Sequence, residues 1–221
     1  MSAAAAAPRA DPHQLGRNPD QDDRPIIVGG GEDDAPNKRI IVGYGFWIFL
    51  ISDIIMFSAF FAAYAVLSGA TAGGPSGRQL FHLDLVAIET GLLLTSTFAC
   101  GMATLAAEAR SMFWTQVALL VTGLLGLGFL ALELHEFSSL MQQGAGPDRS
   151  AFLSAFFALV GCHGVHVGAG LLWIGTMMAQ IFAKGFREDI MRRLLCLTLF
   201  WHALDIVWVG VLTVVYLLGV R

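Results

Sequence analysis

The sequence predicts an all-α, polytopic membrane protein with five crossings. Three observations carry that prediction. The chain has 221 residues, 56% of them hydrophobic and only 14% charged, far from the usage of a soluble domain. Five apolar runs are each long enough to span a bilayer, for which about 20 residues suffice. Breakers or short charged links separate them. Glycine is abundant, with 25 residues, as expected where membrane helices pack closely.

Residues 1–39 read as a disordered tail, rich in Ala, Pro, Asp and Gly and without apolar periodicity. Its early Ala run lacks the Leu/Ile/Val core of a secretory signal, so no cleavage is expected. The five-helix domain then covers 40–221. The first helix runs from about Gly43 to Leu67 and holds one charge, Asp53. The loop Ser68 to His82 carries Gly73-Gly74-Pro75 and other breakers. The second helix runs from about Leu83 to Ala107, with Glu89 near its start. The link Glu108-Ala109-Arg110 forces an antiparallel return. The third helix runs from about Met112 to Phe137 and ends in Glu133-Leu134-His135-Glu136. A loop follows, with Asp148 or Ser150 as the next N-cap. The fourth helix, about Ala151 to Ala183, has no formal charge, and its length implies tilt. Lys184 to Arg193 reads as a charged link. The last run, Leu194 to Val220, carries a single formal charge, Asp205.

Five crossings put the termini on opposite sides. One face then holds Arg9, Arg17, Arg24, Lys38, Arg39, Arg110, Lys184, Arg187, Arg192 and Arg193, and the other only Arg78, Arg149 and Arg221. Positive charge favours the inside, so the N-terminus is expected in the cytoplasm and the C-terminus in the periplasm, across a bacterial inner membrane. The net charge of −4 does not alter this, because the rule counts cations. Nothing points to nucleic acid. Cys100, Cys162 and Cys196 are scattered through apolar runs without a CxxC spacing, which suits inert buried thiols.

Ionisable groups inside a bilayer are costly and survive only against protein, water or lipid headgroups. Asp53, His163, His166, His202 and Asp205 fall near mid-membrane, and Glu89, Glu133 and Glu136 towards the outer surface. His202 and Asp205 are three apart, as are His163 and His166 and the Glu133/Glu136 pair, so each pair shares a helix face. Asp205 is therefore expected to support His202. Gly164-x-x-x-Gly168, with Gly161 and Gly170, reads as a small-residue packing face. The histidines invite a metal or haem, but the Glu-x-x-His pattern of di-metal bundles is missing, and a His pair at i, i+3 is not the usual haem arrangement. Asp53 reads either as a proton relay or as a structural or lipid-linked group. By periodicity alone the chain is a five-helix membrane protein with a polar interior seam. An independent small transporter or proton channel, using Asp53 and the histidines, stays open at this point.

Four segments carry a resemblance: Gly45-Phe46-Trp47-Ile48-Phe49-Leu50-Ile51-Ser52-Asp53, the Glu133…Glu136 pair, Gly161-Cys162-His163-Gly164-Val165-His166-Val167, and Phe200-Trp201-His202-Ala203-Leu204-Asp205-Ile206-Val207-Trp208. In order and spacing they resemble subunit III of haem–copper terminal oxidases, over all five helices from about residue 43. The five-helix length, Asp53 in place of the Glu usual in the cytochrome c oxidase members, and the stretch from Gly146 to Gly161 look most like the bo-type ubiquinol oxidase branch. The resemblance implies a subunit without haem or copper, those centres belonging to subunit I of a complex that oxidises ubiquinol, reduces oxygen to water and pumps protons. It implies contact with subunit I, neighbouring subunits II and IV, and a cleft holding phospholipids. Asp53 matches the family carboxylate that reacts with a carbodiimide. On this reading Asp53, Glu89, Glu133, Glu136, His163, His166, His202 and Asp205 form the polar seam or touch lipid; none is catalytic, cofactor-binding or metal-binding.

Overall fold

The structure is a computed structural model, and it describes residues 34–71 and 83–217. Met1–Lys38 and Arg39–Arg221 are separate contact units. The first lies largely outside the described residues, as do the predicted tail over 1–33 and most of the glycine-rich loop.

All described secondary structure is helical: α1 Asp34–Leu67, α2 Leu83–Glu108, α3 Met112–Gln142, α4 Ala151–Lys184 and α5 Glu188–Val211, the last continuing as a π-helical turn over Leu212–Leu217. Each of the five is long and apolar enough to cross a membrane, so the predicted fold class is borne out. Three ends differ from the sequence reading. The helical backbone of α1 starts at Asp34 rather than about Gly43, because Pro36 falls in the first turn, where its missing N–H has no partner to lose. The start of α5 lies at Glu188, inside the supposed charged link. Glu188 and Asp189 occupy its first turn, where carboxylates suit the exposed N–H groups, and the link shrinks to Gly185-Phe186-Arg187. Gly185 takes φ 68°, a left-handed conformation that ends α4. Finally, α3 continues past Phe137 to Gln142 before Gly144 at φ 73° stops it.

The remaining ends follow the chemistry of their residues. Ser150 caps α4, its hydroxyl accepting from the Leu153 N–H at 3.2 Å. Arg110 adopts φ 56°, and the Arg110 and Ser111 amides donate to the carbonyls of Ala107 and Ala106 at 3.0 Å each. These close the tight α2–α3 return.

Helices α2, α3, α4 and α5 form a closed ring, packed α2 on α3, α3 on α4, α4 on α5 and α5 on α2. The α2–α5 seam carries three polar rungs. Trp208 Nε1 donates to Thr90 Oγ1 at 3.1 Å, Trp201 Nε1 donates to Ser96 Oγ at 3.0 Å, and the Thr104 and Thr198 hydroxyls meet at 3.0 Å. Ser96 passes the chain on to the Thr122 carbonyl at 3.0 Å. Trp201 also fills the centre. A Cβ on Gly170 would stand 2.7 Å from its Cζ3, and one on Gly126 2.9 Å from its Cζ2. Helix α1 lies outside the ring and reaches it through side chains: Phe46 on Trp173 at 5.9 Å, Phe57 on His166 at 5.3 Å and Tyr64 on Phe152 at 5.8 Å between ring centroids.

Candidate functional site: the buried carboxylates and histidines

The predicted seam divides into three groups. The first sits inside the ring. Glu89 on α2 and Glu133 and Glu136 on α3 are 0%, 2% and 5% exposed, and their carboxyls lie within electrostatic reach of one another. Glu133 rests on α4 where Gly164 has no side chain: a Cβ there would be 3.0 Å from Glu133 Oε1. Gly164 thus makes room for a carboxylate, and Gly161 and Gly168 face Phe137 and Leu130 of the same helix. The small-residue face is a seat for α3. The π-helical turn brings in Tyr216, whose hydroxyl donates to Glu136 Oε2 at 3.3 Å. Such turns recur at functional positions.

His163 joins this group from α4. It is fully buried, with its ring against Trp208 at 5.3 Å, Phe129 at 5.8 Å and Phe57 at 6.3 Å. His166 does not join it. Although the two share a helix, His166 turns to α1, with Nε2 3.9 Å from Asp53 Oδ2 and both side chains about one-fifth exposed (21% and 20%). At that distance the contact is electrostatic rather than a hydrogen bond. Its Nδ1 lies 2.7 Å from the Cys162 carbonyl, which can only accept, so Nδ1 carries the proton and Nε2 faces the carboxylate. The Asp53–His166 pair is the second group.

The third group is His202 and Asp205 on α5. His202 Nδ1 donates to the Thr198 carbonyl of its own helix at 2.7 Å. The ring lines a cavity of about 350 Å³ between α1 and α5, with Trp47, Leu50, Phe57, Phe61 and Gly210. Asp205 is buried, with Thr97 and His202 as its polar neighbours, but no ion pair joins it to His202. Residues three apart on a helix diverge by a sixth of a turn. Asp205 and His202 thus share an electrostatic contact without an ion pair or hydrogen bond between them.

Sequence reasoning missed Tyr216, Thr90, Ser96 and Thr97. A signal existed for Thr90 and Thr97: hydroxyl residues recur on α2 at 90, 97 and 104, one heptad apart, as Trp201 and Trp208 are on α5. Among the described residues no three His, Cys, Asp or Glu side chains come close enough to hold a metal ion.

The family model described as cytochrome c oxidase subunit III matches residues 31–220. The chain belongs to that family. A relative from Pseudomonas aeruginosa, cytochrome bo(3) ubiquinol oxidase subunit 3, is 48% identical over 192 residues, covering 87% of this chain and 92% of the relative. The protein of the same name from Pseudomonas putida is 53% identical over 180 residues, covering 80% and 85%. Quinol oxidase subunit 3 of Bacillus subtilis is 41% identical over 175 residues, covering 79% and 86%. These similarities bear out the resemblance to a bo-type subunit III. The chain is a multi-pass membrane protein and a subunit of a terminal oxidase complex, in a family whose haem and copper belong to subunit I.

Proposed function

We propose that this chain is the non-catalytic, cofactor-free subunit III of a respiratory bo-type ubiquinol oxidase in a bacterial inner membrane. It stabilises subunit I, lies near subunits II and IV, holds phospholipid and supports turnover, while subunit I carries the haem and copper, reduces oxygen to water and pumps protons. The N-terminus lies in the cytoplasm and the C-terminus in the periplasm. The observation that carries this reading is the similarity to bo(3)-type subunits across 92% of one relative's length.

The side-chain chemistry supports it. His163 is walled by aromatic rings, His166 faces a carboxylate and His202 bonds its own helix, so the three histidines serve three separate places. Phospholipid suits the cavity between α1 and α5. Its walls are apolar, His202 is the one ionisable group among its lining residues, and α1 meets the ring through Phe46, Phe57 and Tyr64. An acyl chain there lies against Leu50, Phe57 and Phe61, and a headgroup near His202 restores a polar partner.

Mild-detergent purification of the tagged chain tests this reading. Recovery of a haem-bearing oxidase subunit with bound phospholipid supports it. Recovery of the chain alone, active as a transporter in liposomes, refutes it.

A further inference from the structure

Both carboxylate oxygens of Glu89, both of Glu133 and both ring nitrogens of His163 are buried and have no hydrogen-bond partner among the described residues. An unpaired buried polar group costs about 1–3 kcal/mol, and native interiors leave few of them. Six such atoms in one bundle require a partner that the described residues do not supply.

They lie close together. Glu133 abuts Gly164, the residue after His163. The His163 ring packs on Phe129, one turn before Glu133, and on Trp208, which donates to Thr90, the residue after Glu89. Three helices, α2, α3 and α4, and a tryptophan of α5 thus bring carboxyls and imidazole into one layer. The occupant is small, because the nearest cavity stops short of it. That cavity, about 400 Å³ at the α2–α3 end, is lined by Asp84, Ile88, His135, Glu136 and Ser139 but not by Glu89, Glu133 or His163. A lipid headgroup is too large. A metal ion lacks three converging ligands among the described residues. Water fits, since it donates to carboxylates and both donates to and accepts from imidazole.

We propose that water bound among Glu89, Glu133 and His163 forms a hydrated chamber inside the four-helix ring, and that it exchanges with bulk water past Glu136. Glu136 lines the cavity and is held by the Tyr216 hydroxyl, so it stands where the buried layer meets the opening. The chamber relays protons: a carboxyl passes its proton to water as that water passes one to a neighbouring carboxylate or imidazole, with total charge unchanged. This goes beyond the lipid-holding role and does not depend on it.

Hydroxyl-radical footprinting of the intact, purified complex tests the proposal, because radicals born from internal water label side chains that bulk solvent never reaches. After correction for the intrinsic reactivity of each side-chain type, Phe129, His163 and Trp208 are expected to label several-fold faster than Trp201, which is equally buried but packs against Gly126 and Gly170. The Glu89→Leu/Glu133→Leu variant is expected to lose that excess. Labelling of the three at the Trp201 rate in the unmodified protein overturns the proposal, and this comparison needs no variant. Excess labelling that survives in the leucine variant also overturns it, as does labelling that disappears when lipid is removed. The readout is the same whichever subunits accompany the chain, so its failure is distinct from failure of the oxidase assignment.

Discussion

Trp201 on α5 occupies the space that a side chain at Gly170 on α4 would need, with 2.7 Å between its Cζ3 and the position of that missing Cβ. The ring atom is pinned, because the indole N–H is bonded to Ser96 at the opposite edge. Gly170→Ala must therefore push a fixed tryptophan. Overpacking of this kind costs about 1–3 kcal/mol, and the expected result is a lower melting temperature of the purified complex in detergent. Gly175→Ala, where nothing lies within 4 Å, is expected to leave it unchanged.

The Trp208–Thr90 rung gives a second test. Interhelical hydrogen bonds in membranes average about 0.6 kcal/mol, with about 1.7 at most. A double-mutant cycle of Trp208→Phe and Thr90→Val is expected to return a coupling in that range. A coupling indistinguishable from zero removes the α2–α5 rungs from the account of cohesion.

Asp53 and His166 join α1 to α4 across 3.9 Å in a half-open setting. Partly exposed pairs contribute about 0–1 kcal/mol. Asp53→Asn is expected to weaken the complex by no more than that and to leave its haem content intact. Loss of assembled haem in that variant contradicts a role limited to holding α1.

Filling the α1–α5 cavity tests the lipid reading. Ala203 lines it beside His202, and Ala203→Trp is expected to lower the phospholipid retained per complex, measured by mass spectrometry, with subunit composition unchanged. Retention at the original level refutes lipid occupancy of that cavity.

The five helices were legible because apolar runs of bilayer length have few other readings, and hydropathy places them well. Their ends were less legible. The segment from Glu188 to Arg193 looks like a polar link by composition, yet two acids in a first turn are a helix-start signal, and that signal was decisive. The buried groups divide differently. Glu133 and Glu136 do share one interior, as their spacing suggests. His163 and His166, at the same spacing, part company because α1 and the ring core take opposite edges of one helix face. Tyr216 was not legible at all, since the π-helical turn alters its angular position and regular periodicity misplaces it.

The central claim is that this chain contributes cohesion to an oxidase whose redox centres lie in another subunit. Haem and copper quantitation on the chain, first within the complex and then separated from its partners, tests it most directly. The account predicts a haem–copper chain co-purifying in equal amount, and neither haem nor copper remaining on this one after separation. A stoichiometric redox centre retained by the isolated chain, held by His163, His166 or His202, would contradict it.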